Sequence, residues 1–483
     1  MQTKPTTATG AGLERGAMGT ADIVFFVLAG VAPLGVVVAG ISLAFALGNG
    51  PGVPGTFLIA GAVMSLFAIG YVQMSRRVTN VGGFYSYARI GLGARAGGAA
   101  AYVALIAYNA ATIGVVGGLA YFSQQVASGF GIDVAWQWWA LAAVVAVAVL
   151  AFFQVTLSAK VLGALLILEV LLLMCFNVAV LVQNGFHGFS LEVFSPDKVF
   201  SSGFGVTLML AFGAFVGFEA TALYGEEARN PRRSVPRATY IALALITVFY
   251  LVTTWAIVSA YGVDGVQPAA AEDPSVLVFA ANAKYVGEIA TAGMQILVIT
   301  SLFAAFLAFH CNTARYGYAL ARDGFLPRGL ARTHKKYGSP IAASWLQLAL
   351  TAAVLVVTSL SGQNPYLGMA AGAYGLATIG IVSLQAVAAV SIVAFFLRNR
   401  RSESIWASIV APALGAVGLI VGLVLMVDNY SLMAGGSVRA LDYLPWLLPV
   451  AAVIGAIVAG RRLIATEPVV TDTAACDPAL EEA

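Results

Sequence analysis

The chain has 483 residues, of which 60% are hydrophobic and only 10% are charged, and its mean hydropathy is +0.89. A soluble domain of this length cannot bury so much apolar surface, so the composition predicts a polytopic membrane protein. The formal net charge of +3 gives no indication of a nucleic-acid partner, because it follows from the loop charges described below.

Twelve stretches are apolar over about 20 residues, the length a helix needs to cross a hydrocarbon core of about 30 Å. They lie near residues 22–47, 54–75, 97–128, 134–154, 158–184, 203–224, 238–262, 283–313, 340–360, 367–397, 405–427 and 442–464. We therefore predict an all-α integral membrane protein with 12 transmembrane helices. A polar N-terminal segment at 1–20 and an acidic tail at 465–483 are expected in the cytoplasm.

The Lys and Arg residues support this count, because cytoplasmic loops retain positive charge. With both termini placed inside, all but three of the 25 Lys and Arg residues fall on the inner side. The exceptions are Lys198, Lys284 and Arg439. Residues 1–20 lack the apolar core of a cleaved signal peptide. The pattern predicts a multi-pass protein of the cell (inner) membrane.

Cysteine and histidine are too scattered to suggest a metal site or a disulfide framework. The residues concerned are Cys175, Cys311, Cys476, His187, His310 and His334. A membrane enzyme would need metal ligands, or a nucleophile with its base, near one membrane face. The sequence therefore predicts no enzymatic activity, no cofactor and no metal.

Two predicted helices carry helix-breaking residues at corresponding places. The first span contains Gly30-Val-Ala-Pro33-Leu-Gly35, and the sixth contains Phe212-Gly213-Ala-Phe-Val-Gly217. Proline has no N–H to donate and crowds the carbonyl one turn earlier, so the helix around Pro33 should open. Glycine in one membrane helix often marks close packing only. Two breaks at matching positions instead favour a transporter, in which broken helices present backbone dipoles to a cavity at mid-depth.

An odd number of spans separates the two breaks, which reverses the orientation of the second half in the membrane. The halves at 21–184 and 203–397 are therefore expected to be inverted relative to each other. Such inverted repeats are typical of secondary transporters.

Four further sequence stretches match the motifs of one transporter family. They are Gly217-Phe-Glu-Ala220 with the charged run 226–238, Val81-Gly-Gly-Phe-Tyr-Ser-Tyr-Ala88, the run 315–327, and more loosely Ser158-Ala-Lys160-Val161. These stretches resemble the amino acid–polyamine–organocation (APC) superfamily, in its bacterial amino acid permease type. The matches extend from the first helix to about residue 340. The last two spans contain no family motif and are recognised by their hydropathy alone.

The resemblance implies a LeuT-like 5+5 inverted repeat over 21–397, plus two peripheral helices at 398–464. It also implies a secondary active transporter that moves an amino acid by alternating access, with proton-coupled symport as the leading mode. The alternatives are an amine or polyamine transporter, or an amino acid/amine exchanger. A channel is a third class, because the superfamily includes potassium uptake proteins, but no filter-like motif is visible.

The breaks suggest where a small zwitterion would bind. Free N–H groups at a half-helix N-terminus favour a carboxylate, and free carbonyl groups favour an ammonium. The predicted carboxylate segment comprises Val31, Ala32, Pro33, Leu34 and Gly35, with Leu34 and Gly35 as donors. The predicted ammonium segment comprises the carbonyls of Ala211, Phe212 and Gly213.

Pro33 departs from the family pattern, in which many members have a Gly-Ser-Gly-like turn. Because Pro33 removes a hydrogen-bond donor, a substrate without a carboxylate remains an alternative. Some amine transporters of the superfamily share such a proline.

For the side-chain pocket, Asn109 is either a substrate contact or an interhelical hydrogen-bonding residue. Phe215 either lines the cavity or packs in the core.

Coupling is expected to depend on the two acids near mid-depth, Glu169 and Glu219. An ionised group there costs at least about 2.5–3.5 kcal/mol, so a carboxyl group is a natural proton carrier. Glu219 matches the acid of the family's sixth helix. Many relatives carry, in the region of Glu169, a Lys whose ammonium stands in for a sodium ion. Glu169 therefore shuttles a proton, binds a cation such as sodium or a cationic substrate, or only hydrogen-bonds a neighbouring helix.

Overall fold

The computed structural model describes residues 19–77, 83–153, 159–219, 221, 228–334, 339–399, 404–434 and 441–461. Over these ranges the chain is helical and forms no strand. Almost all of the predicted N-terminal segment, and the whole acidic tail at 465–483, lie outside the described residues.

The principal helices follow the predicted spans in order. They are α1 Thr20–Val31, α2 Pro33–Leu47, α3 Val53–Ser75, α4 Gly83–Leu92, α5 Ala94–Gly129, α6 Trp136–Phe152, α7 Ala159–Asn184, α8 Phe204–Ala214, α9 Pro231–Tyr261, α10 Leu277–Tyr285, α11 Glu288–Arg322, α12 Ile341–Leu360, α13 Pro365–Arg398, α14 Trp406–Asp428 and α15 Leu441–Arg461. Short helical turns lie at Gly50–Gly52, Phe186–Gly188, Leu191–Phe194, Pro196–Val199, Val266–Glu272, Arg328–Ala331 and Tyr430–Met433.

Within the described ranges, nine helices are long and apolar enough to cross a membrane. The other three predicted spans contain the shorter apolar helices α2, α6 and α8. Every predicted span therefore contains helix, and the protein has the make-up of a multi-pass membrane protein. The count of 12 stays a prediction.

The first helix breaks at Ala32. This residue has φ 51° and ψ 67°, and it is the one non-glycine residue with a positive φ in the part of the chain that the structure describes. Pro33 disfavours the α conformation in the residue before it, and at the first position of α2 its missing N–H has no cost. Because a left-handed alanine costs about 1–2 kcal/mol, the surrounding helices must hold this turn.

The sixth helix breaks after Ala214. The N–H groups of Phe215 and Val216 donate to the carbonyls of Phe212 and Gly213, at 3.1 and 3.0 Å, so the chain tightens into three-residue turns. Gly217 then adopts φ +113°, a conformation that residues with a Cβ rarely adopt.

The two broken helices meet at the centre of the bundle. The residues that begin α2 pack against α7 and α11, and α8 packs against α3, α13 and α14. The long helix α5 packs against α11, α13 and α15. This arrangement places both breaks beside α5, α11 and α13, which supply the rest of the site.

Candidate substrate cavity and coupling site

A cavity of about 700 Å³, counting its open mouth, lies between the two breaks. Its wall is formed by α1, α2, α5, α8, α11 and α13, and no charged side chain lines it among the described residues. The wall is aliphatic and aromatic, with hydroxyl groups contributed by Tyr366 and Tyr374. The cavity therefore suits a ligand with an apolar side chain.

Some of the residues predicted to bind substrate line this cavity. Those in the wall are Val31, Ala32, Gly35 and Gly213. The others are buried or partly buried outside its wall: Pro33, Leu34, Asn109, Ala211, Phe212 and Phe215.

Asn109 makes a hydrogen bond within its own helix. Its side-chain amide donates to the carbonyl oxygen of Leu105 at 2.7 Å. This bond meets part of the hydrogen-bonding need of a polar amide at this depth. A role for Asn109 in substrate binding stays a prediction.

Glu169 reaches the start of α2 from α7. The Ser301 hydroxyl donates to Glu169 Oε2 at 2.7 Å, and the Gly35 N–H donates to Ser301 Oγ at 3.3 Å. The Glu169 carboxyl also interacts with the backbone amide of Leu34. Only 3% of the Glu169 surface is exposed. The chain's own carboxyl group therefore stands at the helix N-terminus, where the partial positive charge of the helix stabilises an anion.

This arrangement differs from the expectation for the first break. Leu34 and Gly35 were expected to offer free donors to a substrate, yet both are engaged by the chain itself. The difference arises because α7 and α11 bring Glu169 and Ser301 against the break, and a half-helix N-terminus attracts whichever carboxylate is nearest.

Two polar residues near Glu169 were missed by the sequence argument. Ser301 connects Glu169 to Gly35, and its hydroxyl in an apolar span was the available signal. Tyr250 from α9 lies close enough to Glu169 and Tyr374 to interact electrostatically. The buried Tyr250 hydroxyl has no hydrogen-bond partner within the described ranges.

Glu219 holds the second break locally. Its Oε2 accepts a hydrogen bond from the Gly217 N–H at 2.9 Å, and the Tyr108 hydroxyl lies 3.5 Å from Oε1. The Tyr71 hydroxyl donates to the Glu219 carbonyl oxygen at 2.7 Å. Glu219 thus fixes the turn that contains Gly217.

The acceptors expected at the second break are also partly used. The carbonyls of Phe212 and Gly213 accept from the turn that follows α8. Each carbonyl oxygen has two lone pairs, so each keeps capacity for one more donor.

An aromatic cluster, named the inner aromatic cluster after the side predicted from the loop charges, packs beside the second break. It is formed by Phe67, Tyr71, Phe84, Tyr87 and Phe218. Neighbouring ring centroids are 5.5–6.2 Å apart. Phe84 and Tyr87 belong to the Gly-Gly-Phe-Tyr-Ser-Tyr stretch, so α4 contributes this motif to the base of the bundle.

Tyr85 of the same motif binds the end of α11. Its hydroxyl donates to Asp323 Oδ2 at 2.8 Å. Burial, with the neighbouring Asp323 carboxylate, raises the pKa of Tyr85 above its usual value, so this hydroxyl stays protonated and donates. Two stretches that carry the family resemblance are therefore in direct contact.

An outer aromatic cluster, formed by Tyr121, Phe122, Phe279 and Tyr366, packs at the other end of the cavity. The Tyr121 and Tyr366 rings stack at 5.2 Å, and the Tyr366 hydroxyl donates to the carbonyl of Ala39 at 2.7 Å. Along α5, the cavity wall at 114–118 lies between Tyr108 and Tyr121. The outer aromatic cluster thus meets the cavity through Tyr366, which lies in the cavity wall.

Comparison with known proteins matches this architecture. The sequence model described as amino acid permease matches residues 19–458. The chain belongs to the amino acid permease family. It is accordingly a multi-pass membrane transporter of the APC superfamily and not an enzyme.

Two relatives each share about a quarter of their aligned residues with this permease. The branched-chain amino acid permease BcaP of Bacillus subtilis (strain 168) is 24% identical over 419 residues, covering 83% of this chain and 84% of the relative. The methylthioribose transporter of the same strain is 25% identical over 422 residues, covering 83% and 85%. In the solved structures, the Eremococcus coleocola manganese transporter superimposes with a TM-score of 0.54 at 14% identity, over 92% of both chains. This last likeness concerns the fold alone.

Proposed function

We propose that this permease carries a neutral amino acid with an apolar side chain, together with a proton, by alternating access. The position of Glu169 carries the proposal, because its carboxyl group meets the amide donors of α2 beside an apolar cavity. The similarity to BcaP, a branched-chain amino acid permease, supports an aliphatic amino acid as substrate.

Proton and substrate would be coupled through the start of α2. An ionised Glu169 occupies the amides of Leu34 and Gly35, directly or through Ser301. A proton on Glu169 removes its charge and weakens its hold on these donors. The substrate carboxylate then takes the Gly35 N–H, while its ammonium binds the carbonyl oxygen of Gly213, since both of these residues lie in the cavity wall. Because each event favours the other, their binding free energies are linked.

The architecture of the proposed transporter follows the family pattern. The core at 21–397 is built as two inverted five-helix repeats within a 12-helix protein, and the helices at 398–464 are peripheral. The protein lies in the cell (inner) membrane, and both of its termini lie in the cytoplasm. The inner and outer aromatic clusters close the cavity towards the two sides in turn.

A substrate without a carboxylate is the second candidate. The same observation favours it, because the amides of Leu34 and Gly35 are already engaged by Glu169 and Ser301. Such a substrate is an amine with an apolar side chain. The protein would either transport this amine alone or exchange it for an amino acid. A polyamine with several charges fits less well, because no acidic side chain lines the described cavity.

The decisive test combines ligand binding with transport. Purified protein is screened by thermal shift against neutral amino acids and their decarboxylated amines, because a ligand of the folded state raises the melting temperature. Uptake into proteoliposomes is then driven by an imposed pH gradient or sodium gradient. We expect stabilisation by aliphatic amino acids and uptake driven by the pH gradient. Stabilisation by amines alone, or uptake driven by sodium alone, would contradict the proposal.

A further inference from the structure

Gly118 of α5 differs from the neighbouring glycines of the cavity wall in what surrounds it. It is buried and lines the cavity, yet a Cβ atom added there would meet nothing within 4 Å. Because Gly118 is buried, this open space is internal. The missing side chain of Gly118 therefore contributes directly to the volume of the cavity.

Three other glycines in the wall, Gly35, Gly114 and Gly213, serve close packing, whereas a Cβ at Gly40 would meet only Val36 of its own helix at 4.0 Å. A Cβ at Gly114 would lie 3.0 Å from the backbone nitrogen of Tyr374, and one at Gly213 would lie 2.7 Å from the ring of Tyr374. A larger residue at Gly114 has to displace the backbone of α13, and one at Gly213 has to displace the side chains of Tyr374 and Thr378. Gly118 is under no such constraint, so packing within the described fold does not account for a glycine there.

The place of Gly118 along α5 indicates which part of a substrate it meets. It lies one turn before the outer aromatic cluster, to which Tyr121 and Phe122 belong. The amide and carboxyl groups of the first break are contributed by α2, α7 and α11. Around Gly118 the wall of α5 is formed by Gly114 and Val115, which present no polar side chain. This part of the cavity suits an aliphatic group.

We propose that Gly118 sets the upper size limit of the transported side chain, and that the preferred substrates are branched aliphatic amino acids. This inference rests on the proposed function and adds to it a size limit and the residue that sets it. Gly118 is a specificity-determining residue, since a methyl or isopropyl group at this position would occupy space that the substrate side chain needs.

The test is a size series at Gly118, measured with defined probes. Gly118→Ala and Gly118→Val are compared with wild type for uptake of L-alanine, L-valine and L-leucine. We expect Gly118→Ala to lower leucine uptake relative to alanine uptake by roughly tenfold or more, since one methylene in an apolar pocket changes selectivity by about 10–200-fold. Gly118→Val extends the loss to valine and spares alanine.

Gly293 supplies the matched control. It also lies within a long helix, α11, and a Cβ there meets nothing within 4 Å, but it does not line the cavity. Gly293→Ala and Gly293→Val should leave the leucine-to-alanine ratio of wild type unchanged. Melting temperatures are measured for all variants. If Gly118→Val does not fold, the leucine-to-alanine uptake ratio of Gly118→Ala decides whether Gly118 limits the size of the substrate.

The outcomes separate this inference from the proposed function. If wild type binds and transports these amino acids but Gly118→Ala keeps the wild-type ratio, the role of Gly118 is wrong and the proposed function stands. If Gly118→Ala lowers uptake of all three probes equally, the residue has no role in size selection. If wild type neither binds nor transports any of them, both proposals fail.

Discussion

At the first break Ala32 has the left-handed backbone conformation, and at the second break Gly217 has a positive φ. A glutamate accompanies each of them. Glu169 reaches the first break from another helix and works through Ser301 of a third, whereas Glu219 lies two residues from Gly217 and accepts its N–H. The first break is therefore held by tertiary contacts, and the second mainly by a local one.

This difference indicates what a proton would do at each break. A proton on Glu169 weakens a contact that joins three different helices, α2, α7 and α11. A proton on Glu219 weakens a turn in the same segment as its own carboxyl group, although Tyr108 also faces that carboxyl. Glu169 is therefore the better candidate for coupling and Glu219 the better candidate for positioning.

The largest effect is expected from Glu169→Gln. The substituted amide cannot ionise, so uptake driven by a pH gradient should fall by about tenfold or more, within the usual range of coupling free energies. Counterflow of substrate, which needs no net proton movement, should fall much less. Both rates are measured in proteoliposomes.

Glu192→Gln is the matched control for this prediction. Glu192 pairs with Lys198 at 3.2 Å, is about half exposed and does not belong to the cavity wall in the described fold. Its substitution should leave both rates near wild type. Coupling by Glu169 would be excluded if Glu169→Gln kept the pH dependence of wild-type uptake.

Gly217→Ala tests the local break. A Cβ at φ +113° stores strain of about 1–3 kcal/mol, so the melting temperature should fall. The pH dependence of uptake should be unchanged, because Glu169 is not touched. Gly293→Ala, in a helix with open space around the added methyl group, should not lower the melting temperature. Equal melting temperatures for the two variants would contradict the strain at Gly217.

Ser301→Ala should have a smaller effect on the first break. It removes the bridge between Gly35 and Glu169 and leaves a buried N–H without its acceptor, at a cost of about 1–3 kcal/mol. Because the freed Gly35 N–H is then open to the substrate carboxylate, we expect tighter substrate binding by a few-fold and a shifted pH profile. The neighbouring Thr300 bonds to Leu297 in its own helix, so Thr300→Ala is the control. A pH profile identical to wild type in Ser301→Ala would argue against the bridge.

Ala32→Gly should have the smallest effect, and with the opposite sign to the preceding variants. Glycine removes the left-handed strain of about 1–2 kcal/mol but adds flexibility to the unfolded chain worth about 0.4–1 kcal/mol. The net result is a melting temperature equal to wild type or slightly higher. The same substitution inside a helix, Ala39→Gly in α2, should lower the melting temperature. A similar decrease in both variants would show that Ala32 is not strained.

Much of the fold was predictable, because the signals for it are local. Apolar length predicts where helices lie, and helix is present in each of the predicted spans. Pro33 and Gly217 act on their own backbone and their immediate neighbours, so both breaks were visible in the sequence. The Gly-Gly-Phe-Tyr-Ser-Tyr stretch was recognisable, although its bond to Asp323 was not.

The candidate site was less predictable. Asn109 was expected at the substrate or between helices; its amide donates to the Leu105 carbonyl of its own helix, and its role in substrate binding stays a prediction. The engagement of Leu34 and Gly35 depends on Glu169 and Ser301, which lie more than a hundred residues away in the sequence. No periodicity or residue spacing in the sequence indicates that these distant residues are in contact.

The sequence by itself thus determined the class of the protein, the positions of its helices and the two places where they break, because hydropathy and backbone sterics act over a few residues. Only the tertiary structure decided that a carboxyl group of the chain occupies the first break, and that Gly118 is left facing empty space. Both outcomes depend on how helices pack against each other, and packing joins residues that are distant in the chain.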